Sequence, residues 1–137
     1  MQKCEAVFNF HVRNFKIIRY IWSENLLHIY YLLKMTKIDY EKHIVGLMIE
    51  LYCHRKHNTT KKEVCDDCAA LKDFCHKKLD KCPFGDEKMA CSDCKIHCYK
   101  NTVQRDNIRE IMRFSGPRMM LYYPLDSLLH IFKRKRK

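Results

Sequence analysis

Residues 53–98 read CHRKHNTTKKEVCDDCAALKDFCHKKLDKCPFGDEKMACSDCKIHC. Seven cysteines and two histidines of this stretch stand at spacings typical of metal ligands. They form the pattern Cys53-x3-His57, Cys65-x2-Cys68, Cys82 and Cys91-x2-Cys94-x2-His97-Cys98. Thiolates and imidazoles are the ligands that structural zinc sites use. The stretch therefore predicts a fold stapled by metal.

The middle of this stretch predicts a helix over residues 66–81. Its stripe consists of Cys68, Leu71, Cys75, Leu79 and Cys82. Cys68 and Cys82 are 14 positions apart, which is about 21 Å at the helical rise of ~1.5 Å per residue. A zinc ion with bonds of about 2.3 Å to sulfur cannot bind both, and neither can one compact iron–sulfur cluster. The ligands must therefore divide between the two ends of the helix.

This division places four ligands at each end. The first set is Cys53, His57, Cys65 and Cys68, and the second set is Cys82, Cys91, Cys94 and Cys98. Four ligands are what a closed structural zinc site needs, so zinc in both sets is the prediction. Cys75 is left between two leucines and is expected to pack as a small hydrophobic residue. His97 is expected beside the second set or at the surface.

The rest of the chain predicts further helices around this one. One runs over 36–57, with Thr36 and Asp39 as a weak capping box. Another runs over 102–115 and ends at Gly116-Pro117, because proline cannot continue a helix. A short last helix starts near Pro124, with an apolar stripe of Leu125, Leu128, Leu129 and Phe132. The predicted fold is all-α: three main helices plus a short C-terminal helix, stapled by two Cys/His metal sites.

Three segments are expected from the composition. Residues 1–34 form an N-terminal extension, residues 35–132 the Cys-rich helical domain, and residues 133–137 a basic tail. The extension is either an amphipathic helix that lies on a surface or binds a partner, or sequence upstream of a true start at Met35. The tail is part of a net charge of +11 and acts either as a solvated segment or in contact with phosphate or anionic lipid.

The sequence also indicates a compartment. The N-terminus lacks the features of a signal peptide, and no run of about 18 apolar residues predicts a spanning helix. We therefore expect a cytoplasmic protein whose clustered, reduced thiols bind metal. In a secreted chain the same cysteines would instead predict disulfides.

A set of short motifs extends from Glu41 to Phe132. They are Glu41-Lys42, Met48-Ile49, Leu51-Tyr52-Cys53 with His57, Cys65-x2-Cys68, Cys82-Pro83-Phe84-Gly85, Cys91-x2-Cys94, His97-Cys98-Tyr99, Ile108-Arg109, Met112-Arg113, Gly116-Pro117-Arg118-Met119, and Pro124-Leu125 to Leu129-His130. In these motifs the chain resembles the nitrous oxide-stimulated promoter family of small bacterial proteins. The resemblance covers about two thirds of the chain and leaves out residues 1–34, Cys4, Cys75 and the tail. It implies a role in the response to nitrosative stress and supplies no reaction.

Three classes of function follow. The first is a non-catalytic metal-binding protein of nitrosative stress with zinc in both sets. The second places an iron–sulfur cluster at Cys82, Cys91, Cys94 and Cys98, since all-thiolate ligation with C-x2-C-x3-C spacing is compatible with one. The third is a zinc-stabilised nucleic-acid-binding module. It is supported by a basic stripe of Arg105, Arg109 and Arg113.

An enzyme is not expected. A catalytic zinc keeps an open position, whereas both predicted sets are closed. The chain has no phosphate-binding loop, nucleophile elbow or pair of catalytic carboxylates. The partner, if one exists, is not identified by any motif.

Overall fold

The computed structural model describes residues 25–60, 63–91, 93–96, 98–99 and 102–135. The chain divides into two compact units, Met1–Lys34 and Met35–Lys137. In the first unit, residues 25–34 are helical. The described part of the second unit consists of four α-helices and one short 3₁₀ helix, without strands. The all-α prediction is confirmed.

Helix α1 runs over Lys37–Lys56 and begins at the predicted cap. The Thr36 hydroxyl accepts the backbone N–H of Asp39 at 3.1 Å and donates to its carboxylate at 2.8 Å. These two bonds satisfy a free amide of the first turn and fix the start of the helix. The predicted span of 36–57 is therefore correct to within one residue at each end.

Helix α2 runs over Asp66–Asp80, with Cys65 as its N-cap residue. Its buried residues are Cys68, Leu71, Cys75 and Leu79, four of the five members of the predicted stripe. The fifth, Cys82, lies two residues beyond the end of the helix and is half-buried. The helix is continuous, so the argument that separates Cys68 from Cys82 holds. A 3₁₀ helix, Gly85–Glu87, follows and docks on the start of α1, where the Lys37 N–H donates to Asp86 at 2.9 Å.

Helix α3 runs over Thr102–Tyr122 and continues through Pro117, so the prediction that it ends at residue 115 is wrong. The helical stripe of Ile108, Ile111, Ser115 and Met119 is buried on both sides of the proline. The Ser115 hydroxyl also donates to the Met48 carbonyl on α1 at 2.8 Å. Packing of Met119 beyond Pro117 compensates the helix for the one amide hydrogen bond that proline removes.

Helix α4, Pro124–Lys135, begins after a single intervening residue. The predicted apolar stripe is wrong in part, because Leu128 and Phe132 are exposed whereas Asp126 is 5% exposed. The Tyr40 hydroxyl donates to the Asp126 carbonyl at 2.7 Å, and the Asp126 carboxylate lies 2.7 Å from His43 Nε2. Polar contacts to α1 thus hold the first turn of α4. The helix extends into the basic segment as far as Lys135.

The core lies between α1, α2 and α3. It consists of Val45, Ile49, Cys53, Cys68, Leu71, Cys75, Leu79, Ile108 and Ile111. Two predicted metal ligands, Cys53 and Cys68, belong to this cluster, so the core and the candidate metal centre are continuous. Within the described residues, none of the helices has the length and apolar character that crossing a bilayer requires.

Candidate metal centre

The first set of predicted ligands lies where α1 ends and α2 begins. Cys53 is in the last turn of α1, and His57 is its C-cap residue. Cys65 and Cys68 belong to the cap and first turn of α2. Asn58 has a positive φ of 54°, a conformation that asparagine tolerates and that reverses the chain after a helix. This reversal returns the chain towards Cys53.

The structure brings all four members of this set together. Their ligand atoms lie within 4.8 Å of one another. Cys53 Sγ is 3.5 Å from Cys65 Sγ. The His57 Nδ1 atom is 3.2 Å from Cys65 Sγ and 3.5 Å from Cys68 Sγ. Such distances between Cys and His side chains are typical of residues that bind one metal ion.

These distances fit a tetrahedral zinc ion. Zinc–sulfur bonds of about 2.3 Å place two sulfurs about 3.8 Å apart across a tetrahedron, and a zinc–nitrogen bond of about 2.0 Å brings sulfur and nitrogen slightly closer. Three thiolates and one imidazole form a ligand set common in structural zinc sites. The residues present therefore fit zinc in number, type and spacing.

Cys53 is surrounded by hydrogen-bond donors. The Cys65 backbone N–H donates to its sulfur at 3.3 Å, and the Thr59 hydroxyl donates at 3.5 Å. Burial raises the pKa of this thiol, but the bond from Thr59, followed by those from Cys65 and His57, outweighs burial and lowers the pKa to about 6. Cys53 is thus poised as a thiolate, the form that binds metal.

Cys68 has the opposite tendency. Burial, together with the sulfurs of Cys65 and Cys53, raises its pKa. Two neighbouring thiolates repel a third one unless a cation compensates them. The group could therefore hold a positive ion at its centre, and metal binding would release the proton of Cys68.

An aromatic side chain supports the histidine. The ring of Tyr52 meets His57 edge-on at 5.6 Å between centroids. Tyr52 itself donates to Glu110 on α3 at 2.6 Å, a bond that, with burial, raises the pKa of Tyr52 to about 12. This chain of contacts orients His57 from the neighbouring helix. Neither Glu110 nor Thr59 was found by sequence reasoning, because their spacing from the ligands carries no motif.

The second set is arranged differently. Cys82, Cys91, Cys94 and Cys98 line one cavity of about 330 Å³. No three of their four sulfurs, all among the described residues, lie within 4.8 Å of one another. The structure thus gathers these cysteines around a common space without the close approach of the first set. His97 lies outside the described residues.

A buried lysine adjoins this cavity. Lys88 is 3% exposed, and its ammonium donates to the Met89 carbonyl at 3.3 Å and lies 3.7 Å from Glu41. Burial lowers the pKa of Lys88, but the charges of Glu41 and Cys91 outweigh burial and raise it. Lys88 therefore stays charged beside the thiols. Its position between Cys82 and Cys91 was the only sequence signal that could have found it.

Cys75 lies in the core and is fully buried. Burial raises its pKa to about 11 against the opposing effect of a hydrogen bond from Tyr99. It therefore remains a neutral thiol at physiological pH, as a packing residue would. All the cysteines that the structure describes are free thiols.

Comparison with known proteins gives two matches. The family described as nitrous oxide-stimulated promoter matches residues 36–137. A curated relative, the uncharacterized protein YgbA of Escherichia coli (strain K12), is 36% identical over 100 residues, which cover 73% of this chain and 83% of that protein. No solved structure matches significantly. The resemblance stated from the motifs is thereby confirmed.

Proposed function

Because this chain belongs to the nitrous oxide-stimulated promoter family, we propose that it is a metal-binding protein of the cytoplasmic response to nitrosative stress. It binds zinc at Cys53, His57, Cys65 and Cys68 and has no catalytic activity. The observation that carries the proposal is the convergence of these four ligand atoms within 4.8 Å. Four protein ligands leave zinc no open position for a substrate.

Zinc at this site stabilises the fold. It joins the end of α1 to the start of α2. The free energy of zinc binding is then available for folding, which a chain of this size needs because its core is small. Cys53 and Cys68 also belong to the core. Loss of the ion would therefore weaken the packing of α1 on α2.

The same thiolates give the site a way to respond to nitrogen oxides. A nitrosating agent such as dinitrogen trioxide can transfer its nitrosonium group to a thiolate sulfur. The sulfur–nitrogen bond forms, the nitrogen–nitrogen bond breaks, and nitrite leaves. Cys65 is half-buried and His57 is exposed, so a small reagent can reach the site. A nitrosated sulfur loses the charge that binds zinc, and the ion is released.

Zinc release tests this proposal. Protein purified without oxygen is treated with a nitrosating agent, and free zinc is followed with a chromogenic chelator while circular dichroism reports helix content. We expect zinc release together with partial loss of helix. The Cys75→Ser variant should behave as the unmutated protein does, because Cys75 is not a ligand. A protein that keeps its zinc and its helix content throughout the treatment would contradict the proposal.

A second candidate function is nucleic-acid binding. Arg105, Arg109 and Arg113 are all exposed along α3, and the net charge is +11. A stripe of arginines can contact phosphates along a backbone. Titration with labelled duplex DNA of several sequences at two salt concentrations distinguishes specific binding from charge. Weak binding that disappears with salt and is equal for all sequences would reduce this candidate to electrostatics.

A further inference from the structure

We propose that Cys82, Cys91, Cys94 and Cys98 hold a four-iron iron–sulfur cluster, so that the chain carries two different metal groups. This inference rests on the proposed function only in that the chain binds metal. It does not depend on zinc in the first set, because iron and sulfide are measured separately from zinc.

The spacing of the sulfurs distinguishes the two sets. Sulfurs that share one zinc ion lie about 3.8 Å apart, and in the first set Cys53 Sγ is 3.5 Å from Cys65 Sγ. In the second set no three sulfurs lie within 4.8 Å of one another, although all four are among the described residues. In a four-iron cluster each thiolate binds a different iron, so the sulfurs stand farther apart than around a single ion.

The space between the four cysteines supports the same assignment. The cavity of about 390 Å³ beside the first set is lined by only two of its four members, His57 and Cys68, whereas all four of these cysteines line one cavity of about 330 Å³. Its apolar walls come from Leu79, Met89, Ile108 and Met112. Such walls would pack against a cluster and tune its reduction potential.

The charge of the cavity matches an all-thiolate cluster. Four thiolates outweigh the positive charge of the iron–sulfur core, so the bound group is anionic. Among the described residues, the lining includes four basic side chains and no acidic one; the basic residues are Lys78, Lys88, Arg105 and Arg109. Lys88 is buried in this lining. Arg105 and Arg109 are exposed, and together the four cations compensate an anionic group at this cavity.

The full chain, expressed with added iron and purified without oxygen, provides the test. Iron, acid-labile sulfide and zinc are counted per chain, and visible absorption and Mössbauer spectra are recorded. We expect about four iron and four sulfide together with zinc, a brown colour, and the spectrum of a four-iron cluster. Preparations low in iron are treated with ferrous iron and sulfide before measurement.

Two buried cysteines supply a matched pair of variants. Cys94→Ser should lose iron, sulfide and colour and keep its zinc, whereas Cys75→Ser should keep all of them. Should Cys94→Ser fail to fold, the Mössbauer spectrum and metal count of the unmutated protein decide. Two zinc ions per chain with no cluster after treatment with iron and sulfide would overturn the inference, as would a cluster that survives in folded Cys94→Ser. Iron and sulfide without zinc would support the cluster and contradict the proposed zinc site instead.

Discussion

At the scale of single residues, the hydrogen bonds around Cys53 decide how the first site behaves. This sulfur lies in the core, where burial alone would keep it protonated. Thr59 and the backbone of Cys65 donate to it and overcome that tendency. Donors at Thr59 and Cys65 therefore favour the thiolate form of a buried cysteine, and substitutions at Thr59 should change the pKa of Cys53.

Replacing Thr59 with alanine tests this preparation. Thr59→Ala removes the first of the donors that lower the pKa of Cys53, so the pKa should rise and zinc should bind about 10-fold more weakly, the usual cost of losing an outer-shell partner. Competition with a zinc-binding dye measures the affinity. The neighbouring Thr60, which is exposed, provides the control variant Thr60→Ala. Equal affinities for the two variants would contradict the role of Thr59.

The pH dependence of the metal-free protein follows from the same residue. The pKa of Cys53 is about 6 in the folded state and 9.0 for an ordinary thiol. Because the folded pKa is the lower one, ionisation of Cys53 stabilises the folded state. This contribution is complete above pH 9 and is lost as the pH falls through about 6. Cys68 contributes in the opposite sense, because its pKa is raised. Its contribution to stability is present below the ordinary thiol pKa and is lost as the pH rises beyond that pKa.

Denaturant melts of the metal-free protein at several pH values measure this effect. Between about pH 6 and 9, stability should rise with pH in the unmutated protein and less steeply in Cys53→Ser. The Cys75→Ser variant should retain the full slope. A slope that Cys53→Ser leaves unchanged would show that another group is responsible.

At the scale of elements, the long α3 depends on what its far end contacts. Proline in a helix interior costs ~3 kcal/mol or more in isolation, yet α3 passes through Pro117. The buried side chain of Met119 and the hydrogen bond from Ser115 to α1 lie on either side of it. Tertiary contacts thus overrule a local signal for helix termination.

Two adjacent methionines test this explanation. Met119 is 3% exposed and Met120 is 42% exposed. Met119→Ala should lower the free energy of unfolding by about 2–5 kcal/mol, the range for a large side chain removed from a core. Met120→Ala should change it by roughly 0.5 kcal/mol or less, as exposed positions do. Urea melts measure both, and similar losses would mean that Met119 does not hold the end of α3.

At the scale of the whole molecule, the chain divides at residue 34. Met1–Lys34 and Met35–Lys137 are separate compact units, and the family match starts at residue 36. The ligands of both sets and the residues of the core all lie in the second unit. The second unit therefore contains everything that the candidate metal sites require.

A chain that starts at Met35 should accordingly retain its metal. We expect the same zinc content per chain as the full-length protein and the same helical signature from α1 to α4. Metal analysis and circular dichroism of the two proteins, prepared side by side, provide the measurement. A shortened chain that folds and yet binds no metal would show that residues 1–34 take part in the site.

Local spacing along the sequence determined the all-α class, the bounds of α1 and α2, and which four Cys and His side chains lie together between α1 and α2. The reason is that ligands close to helix ends are positioned by helix geometry, which depends on neighbours in the chain. Only the tertiary structure decided that α3 continues past Pro117, that Asp126 rather than Leu128 is buried, and that Lys88 is buried in the cavity that Cys91 lines. It also decided how far apart the sulfurs of the second set stand. Each of these depends on contacts between distant segments, whose burial outweighs local preference and leaves no periodic trace in the sequence.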